Sequence, residues 1–283
     1  MPSSRNNRDY RNFVFAGGGS RCFWQAGFWM TASAKLNFRP KSIGAVSAGS
    51  AMACMIQMNR VEETLNEFIR ATADNARNVY PENALFRQPV FPQSRIYRRT
   101  LVNALNPSRL EKIREGADIK ILSTKVPRPL GPTSGTMIGM ATYILEKKIR
   151  KPVHPKLARH LGFEASIRSV QSCNTPDELV DLIMASSSTP PFTPVAKVHN
   201  RPVLDGGLID NVPVEIVDSS GGDTLVLLTR QYPYKTIPQV AGRTYVQPSE
   251  TIPVSKWDYT SPHKIQAAFE LGLRDGERFA HNT

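Results

Sequence analysis

The sequence predicts an α/β fold with a central, mostly parallel β-sheet, and three features of the chain support this prediction. Two short apolar runs, at residues 13–16 and 42–46, are each followed by a turn of small residues and then by a helical pattern. A third run, from Thr224 to Thr229, is largely apolar, as expected for a strand that is buried on both faces. Strands that alternate with helices are typical of βαβ units, whose strands are parallel.

The chain has 283 residues, which is long enough to bury a large core. The predicted strands are spread along its whole length, so we expect a single domain over residues 13–283, preceded by a flexible segment of residues 1–12. Hydrophobic residues make up 40% and charged residues 21% of the chain. These proportions argue against a disordered chain and against a coiled coil.

The net charge of +12 comes from 36 Lys and Arg against 24 Asp and Glu, and it attracts anions without identifying them. This charge is compatible with binding to nucleic acid, to an anionic lipid surface or to an acidic small molecule. No apolar run approaches the ~20 residues of a membrane span, and the first twelve residues lack the apolar stretch of a Sec-type signal. Three widely spaced cysteines indicate a reducing compartment, and no Cys or His pair has zinc-ligand spacing, so we expect neither metal nor cofactor.

The elements of the first half follow from local patterns. Residues 13–16 predict a strand, 22–36 a helix, and 42–46 a second strand that leads into a small-residue helix at 48–58. Asn59 and Glu62 have the spacing of a capping box for an amphipathic helix with apolar residues at 61, 65, 68 and 69. Prolines punctuate residues 80–97, which predicts a long loop.

The second half contains clearer boundary signals. Residues 118–123 predict a strand and 137–148 a helix, followed by a basic cluster within residues 147–159. Thr175 and Pro176 are typical of a helix N-cap and first turn. Residues 195–198 and 202–204 predict a hairpin, and Ser261-Pro262 begins the last helix.

Ser47 is the first candidate for chemistry, because it lies between a predicted strand and a predicted helix. A nucleophile elbow needs this context, with small residues two positions before and after the serine. Ala45 and Gly49 occupy those positions. The helix N-terminus would favour a developing negative charge. Taken alone, the pentapeptide fits better an ordinary start of a small-residue helix, with Ser47 as its N-cap.

Two further candidates are turns that contain glycine. The turn Gly17-Gly18-Gly19-Ser20-Arg21 bares backbone N–H groups, which can form an oxyanion hole or hold a phosphate. Asp205, followed by Gly206 and Gly207, could act as general base to a serine. The alternative interpretations are a tight turn and an ordinary Asp-Gly turn. A triad of Ser47, Asp205 and His263 has the chain order of an α/β-hydrolase, but His263 falls in the first turn of a predicted helix.

Together these motifs resemble the patatin-like phospholipase family, which combines a G-G-G-x-R/K-G turn, a G-x-S-x-G elbow and a D-G-G/A motif in this order. A segment rich in Ala and Ser at 185–192, with Asn211 and Pro213, extends the resemblance over about residues 13 to 215. The resemblance implies a three-layer α/β/α patatin-like fold. It also implies a phospholipase A-type esterase in which Ser47 forms an acyl-enzyme, Asp205 is the base, and residues 17–21 hold the oxyanion.

Two departures from the family pattern support an alternative interpretation. Cys22 replaces the glycine after the basic residue, and Ala45 replaces the first elbow glycine. Cys22 adds a side chain beside the oxyanion loop, where it could disturb the turn or narrow the acyl site. A catalytically weak lipid-binding or effector protein on the same fold is therefore a second hypothesis.

The expected partners are a phospholipid or other acyl-ester lipid and the surface of an anionic membrane. The charge does not indicate nucleic-acid binding, because aromatic residues are not interspersed among the basic ones and no recognised nucleic-acid-binding module is present. We expect membrane contact through the basic cluster at 147–159, through Arg95, Arg98 and Arg99, and through the apolar residues Phe86, Val90 and Phe91. The alternative interpretation is that the basic faces are solvated and the loop is packed against the protein. The predicted location is cytoplasmic and peripheral at membranes, or outside the cell by export without a Sec-type signal. A lipase inside a cell requires restraint, so an unidentified activator is also expected.

Overall fold

A computed structural model describes residues 8–128, 130–149, 153–154, 157–198, 200–217 and 221–283. Within these residues, eight strands form one sheet and nine α-helices surround it. The strands are β1 (Tyr10–Phe15), β2 (Ser42–Val46), β3 (Asp118–Lys125), β4 (Glu164–Ser169), β5 (Ala196–Val198), β6 (Arg201–Asp205), β7 (Asp223–Leu227) and β8 (Arg243–Val246). The helices are α1 (Phe23–Leu36), α2 (Ala48–Met58), α3 (Val61–Ala73), α4 (Gln93–Ala104), α5 (Pro107–Glu115), α6 (Pro132–Ile149), α7 (Leu157–His160), α8 (Pro176–Ser186) and α9 (Pro262–Asn282).

The sheet is mixed and mostly parallel, as the sequence predicted. Its order is β5-β6-β3-β2-β1-β7-β8, with β4 paired to β3. The five strands β3, β2, β1, β7 and β8 are parallel to one another. The strands β4, β6 and β5 add antiparallel pairings at one side.

The register of β3 explains how two distant candidate residues meet. The strand β2 pairs with β3 as far as Val46, opposite Leu122, and β6 arrives antiparallel with Asp205 opposite Ser123. Because β4 occupies the other edge of β3, β2 and β6 share one edge and meet end to end. The residue after β2 and the last residue of β6 are therefore neighbours.

The core lies on both faces of the sheet, which gives a three-layer α/β/α architecture. Alternate side chains of β1 point to opposite faces, so Phe13 and Phe15 join one apolar cluster, whereas Val14 and Ala16 join another. The first cluster includes side chains of α1, α2, α3, α4, α5, α8 and α9. The opposite face is covered by the segment 206–217 and by α6 and α7, where Phe163 and Leu208 lie against Gly139.

Most predicted elements are confirmed, and the differences have local causes. The first strand begins at Tyr10 rather than Phe13, so residues 10–12, predicted to be flexible, are in the sheet. The Asn12 side chain donates to the Gly221 carbonyl at 2.7 Å, a distant partner with no sequence signal. The capping box is wrong, because Asn59 ends α2 in the left-handed conformation and does not cap α3.

The predicted loop at 80–97 is shorter than expected, because α4 begins at Gln93. Five elements that the sequence analysis did not predict are α4, α5, α7, β4 and β8. Most of the basic cluster at 147–159 lies outside the residues whose side chains are described. None of the described helices combines the length and the apolar character needed to cross a membrane.

Candidate active site

Ser47 lies at a sharp turn between β2 and α2. Its backbone is strained, with φ 54° and ψ −137°, a conformation that costs about 1–3 kcal/mol for a residue with a side chain. The strands approach the turn so closely that a Cβ on Gly49 would lie 2.5 Å from the Phe15 carbonyl oxygen. Ala45 is fully buried in β2, and its methyl group is accommodated there. The turn therefore has the shape of a nucleophile elbow, and the N-terminus of α2 faces the serine.

The Ser47 hydroxyl donates a hydrogen bond to Asp205 Oδ2 at 2.7 Å. Both residues are buried, with 3% and 7% of their surfaces exposed. The Ser47 amide donates to Ser186 Oγ at 2.7 Å, and the Ser186 hydroxyl in turn donates to the Leu122 carbonyl at 2.6 Å. The end of α8 therefore holds the serine against β3, with its hydroxyl directed at the carboxylate.

The Asp205 carboxylate accepts two further hydrogen bonds. The Thr189 hydroxyl donates to Oδ2 at 3.0 Å, and the Gly207 amide donates to Oδ1 at 2.7 Å. Gly206 allows this turn to press against β3, because a Cβ there would lie 2.3 Å from the Leu122 carbonyl oxygen. These three donors fix the position and orientation of the carboxylate.

The glycine turn after β1 lies beside the elbow and presents two amides. A Cβ on Gly17 would lie 3.2 Å from Ser47 Cβ. The amides of Gly17 and Ser20 already donate to the carbonyls of Asn211 and Lys256, at 3.1 and 3.2 Å. No acceptor among the described residues takes the N–H groups of Gly18 and Gly19. The amides of Gly18 and Gly19 are therefore available to bind an anion.

Two side chains orient this turn through the Gly17 carbonyl. It accepts hydrogen bonds from Asn211 Nδ2 at 3.0 Å and from Thr229 Oγ1 at 2.7 Å. In a trans peptide the carbonyl and the next N–H point in opposite directions. Fixing the Gly17 carbonyl therefore also fixes the direction of the Gly18 N–H.

Arg21 and Cys22 complete the turn without entering the pocket around Asp205. The Arg21 Nε donates to the Gly18 carbonyl at 3.4 Å and braces the loop. Cys22 is fully buried, and its Sγ donates to the Ala16 carbonyl at 3.5 Å. Burial raises the pKa of the Cys22 thiol to about 12. The thiol packs into the core and is not part of the wall of the pocket that contains Asp205.

His263 is exposed in the first turn of α9. The hydrogen bonds of the Ser47 and Asp205 side chains involve only each other, Thr189 and Gly207 among the described residues. The geometry thus gives no support to a triad with His263. Within the same residues, no group of three or more His, Cys, Asp or Glu side chains could hold a metal ion.

A small pocket leads to Asp205. Its walls include Met140 of α6, Leu204, Leu208 and Lys256. Sequence reasoning assigned no role to Thr189, Thr229 or Lys256. Thr189 lies in the segment 185–192, whose motif gives it no particular role, and Thr229 follows a strand without any motif. Lys256 lies in a long irregular segment, so only the folded chain brings these three residues to the site.

Comparison with known proteins identifies the family. Residues 13–218 match the family model described as patatin-like phospholipase. No curated protein matches the chain. A crystal structure of VipD from Legionella pneumophila is similar, with a TM-score of 0.48 and 10% identity, over 96% of this chain and 67% of that chain. Since the family model covers well over half of the sequence, the chain belongs to the patatin-like phospholipase family.

Proposed function

We propose that this protein is a lipid acyl hydrolase of the phospholipase A type, with Ser47 as nucleophile and Asp205 as general base. The observation that carries the proposal is the 2.7 Å hydrogen bond from the strained Ser47 to the buried Asp205 carboxylate. A nucleophile and a base within hydrogen-bond reach are the geometric requirement for such catalysis. The family supplies the substrate class, which is an acyl ester of a lipid.

The reaction has two halves. Ser47 Oγ attacks the ester carbonyl while its proton passes to Asp205 Oδ2, and the tetrahedral intermediate then expels the alcohol, which takes that proton. The acyl group is left on Ser47. Water attacks this acyl-enzyme, gives a proton to Asp205, and releases the fatty acid as Ser47 recovers the proton.

We assign the oxyanion of the intermediate to the N–H groups of Gly18 and Gly19. Their lack of other acceptors among the described residues supports this assignment. Gly19 has φ 58°, and a Cβ there would lie 2.2 Å from the Lys256 carbonyl oxygen. A single oxyanion donor contributes about 3–4 kcal/mol to catalysis in a well-characterised protease.

The first test is fatty-acid release from a defined phospholipid. Ser47→Ala and Asp205→Asn should each remove nearly all activity, by about 10³-fold or more, because each group takes part in both halves of the reaction. Ser50→Ala, three residues further along α2, is the matched control and should keep wild-type activity.

Labelling with a fluorophosphonate probe separates the hydrolase from a lipid-binding protein on the same fold. Folded wild-type protein should be labelled at Ser47, and His263→Ala should be labelled and active as well. Wild-type activity in the Ser47→Ala variant, or activity lost with His263→Ala, would contradict the Ser47–Asp205 pair.

We further propose that the protein reaches its substrate at an anionic membrane surface through the segment 81–87. In this segment Leu85 and Phe86 are 83% and 71% exposed. The exposed Arg87 follows directly, and Arg95, Arg98 and Arg99 lie on α4 nearby in sequence. Phe91, expected to insert into the bilayer, instead packs edge-on against Phe192. Leu85, which the sequence analysis did not name, takes its place.

Co-sedimentation with vesicles tests the membrane contact. The double variant Leu85→Ser/Phe86→Ser should bind anionic vesicles about tenfold more weakly, because two apolar side chains no longer enter the interface. Tyr234→Ser, which removes a side chain that is also 83% exposed, is the control. Equal binding by the double variant and the control would exclude this segment.

We also propose that an activating contact opens the buried site. Ser47 and Asp205 are almost fully buried, so a lipid ester needs the covering side chains to move before it can reach the hydroxyl. Contact with a membrane or with an unidentified partner is the kind of event that opens such a site.

A further inference from the structure

A groove beside the candidate active site is lined by cations and by no described carboxylate. Its volume is about 660 Å³, and its walls are formed by Arg21, Thr229, Arg230, Gln231 and residues 251–256. Arg230 lies just beyond the carboxyl end of β7, and the segment 251–256 follows β8. These parallel strands end on the same side of the sheet as β1 and β2, which lead into Gly17 and Ser47. Ligands of open α/β sheets bind outside the carboxyl ends of the parallel strands.

Two of the cations that line this groove, Arg230 and Lys256, are not neutralised by any described carboxylate. Several exposed arginines elsewhere pair with carboxylates, as Arg98 does with Asp181 and Arg274 with Glu250. Arg230 and Lys256 form no ion pair with any described carboxylate. Each lies instead over an aromatic ring: the Arg230 guanidinium is 5.0 Å from the Tyr232 centroid, and Lys256 Nζ is 4.8 Å from the Trp257 centroid.

The donors of these two cations remain available for an anion. The Arg230 Nε donates to the Tyr232 hydroxyl at 2.8 Å, which orients the guanidinium and leaves its terminal N–H groups without an acceptor among the described residues. Trp257 is itself fixed, because it stacks on Phe192 with centroids 4.4 Å apart. Both cations are therefore held in place by rigid neighbours.

Lys256 joins the groove to the site of ester cleavage. This residue also lines the pocket that contains Asp205, and its carbonyl accepts the Ser20 amide of the glycine turn. An anion held by Lys256 thus lies next to the position of the ester carbonyl. In a glycerophospholipid the headgroup phosphate and the acyl esters are attached to the same glycerol, so one molecule can reach both places.

We propose that Arg230 and Lys256 bind the headgroup phosphate of a phospholipid substrate in this groove. The identity of the substrate rests on the proposed function, whereas the phosphate site rests on the groove itself. The site would favour phospholipids over neutral glycerides, because a diacylglycerol has no group to offer these cations.

Binding to Ser47→Ala protein tests the site without any need for turnover. Dihexanoyl phosphatidic acid, dihexanoylglycerol and inorganic phosphate are titrated separately by calorimetry. In the background of Ser47→Ala, Arg230→Gln/Lys256→Met should weaken phosphatidic acid binding by about 10- to 100-fold, the effect of losing hydrogen bonds to a charged group. Dihexanoylglycerol binding should change by less than about twofold, and each single variant should lie between.

The matched control is Arg39→Gln/Lys41→Met, which removes the same two charges from exposed residues before β2, at the opposite end of the sheet. It should leave all three affinities unchanged. Unchanged phosphatidic acid binding in the groove variant, or an equal loss in the control, overturns the proposal. Inorganic phosphate that binds as tightly as phosphatidic acid overturns the assignment to a lipid headgroup. If Ser47 proves not to be a nucleophile, these binding results are unaffected.

Discussion

Thr229 controls the direction of an amide that it does not touch. Its hydroxyl donates to the Gly17 carbonyl at 2.7 Å, and this bond turns the Gly18 N–H the opposite way. If that N–H binds the oxyanion, Thr229 is a positioning residue, whose loss weakens the transition state more than the bound substrate. Asn211 Nδ2 donates to the same carbonyl, so one of its two hydrogen bonds remains when Thr229 is replaced.

We expect Thr229→Val to lower kcat by about tenfold with little change in KM, a fraction of the effect of a whole oxyanion donor. Steady-state hydrolysis of a soluble ester measures both constants. Thr229→Ser keeps the hydroxyl and should restore kcat to within about twofold of wild type. A rise in KM at constant kcat would instead assign Thr229 to substrate binding.

The residues also show how far the sequence can be interpreted. Ser47 and Asp205 were predicted because each carries a local motif, and the register of β3 brings them together. The motif says nothing about which amides are available: those of Gly17 and Ser20 donate to carbonyls of residues far along the chain. The direction of Cys22 was equally hidden, since a side chain one residue from a turn can face the pocket or the core.

At the scale of elements, the contact between α1 and α9 shows the closest packing in the described chain. A Cβ on Gly272 of α9 would lie 2.1 Å from the Trp24 carbonyl oxygen, and one on Gly27 of α1 would lie 2.1 Å from that of Phe269. The Trp24 indole donates to Asp275 at 2.8 Å across the same contact. The last helix is therefore attached to the first through backbone contact that only glycine permits.

We expect Gly272→Ala to destabilise the protein by about 1–3 kcal/mol, the usual cost of overpacking a close contact. The sign is informative, because alanine in a helix interior ordinarily stabilises by about 1 kcal/mol over glycine. Urea unfolding measures the change. Gly131→Ala is the control, since a Cβ there meets only Ser134 Oγ at 3.6 Å, and it should leave the free energy of unfolding nearly unchanged.

Elements with strong local signals were predicted, and those that depend on distant partners were not. The helix α8 has its Thr175 cap and Pro176 at the first position, and both are present as predicted. The strand β4 has a mostly exposed surface, and β8 is only half-buried, so neither has the apolar run that would identify it. The spacing of Asn59 fits a capping box, but Asn59 adopts the αL conformation that ends α2 and does not cap α3.

At the scale of the whole molecule, the net charge of +12 and the buried acids act in opposite directions as pH rises. Loss of positive charge relieves repulsion between cations and favours the folded state. Burial raises the pKa values of the thiols of Cys22 and Cys54 and of the phenols of Tyr97 and Tyr259. In the unfolded chain these groups ionise first, so unfolding releases protons at alkaline pH.

The sign follows from this difference: a group whose pKa is raised by folding stabilises the native state fully below its unfolded pKa. That contribution is lost as pH rises toward its folded pKa. Unfolded thiols ionise near about pH 8.5 and phenols near about pH 10. The pKa of Cys22 is about 12 in the folded protein, so the loss should begin above about pH 8.5 and continue to about pH 12. Each group that is ionised in the unfolded chain but protonated in the folded protein makes the free energy of unfolding fall by about a further 1.4 kcal/mol per pH unit.

Urea unfolding at pH 7, 8.5 and 10 should therefore give a free energy that falls across the last interval, although the falling net charge alone would raise it. The double variant Cys22→Ala/Cys54→Ala removes two of the three buried thiols and leaves Cys173 in place. Ionisation of thiols in the unfolded chain dominates below pH 10. The variant's free energy of unfolding should be lower at pH 7, because two core side chains are truncated, but it should decline less between pH 8.5 and 10. A wild-type free energy that stays level to pH 10 would mean that relief of cationic repulsion outweighs the buried acids, and that the +12 charge, rather than the core, sets the alkaline limit of the fold.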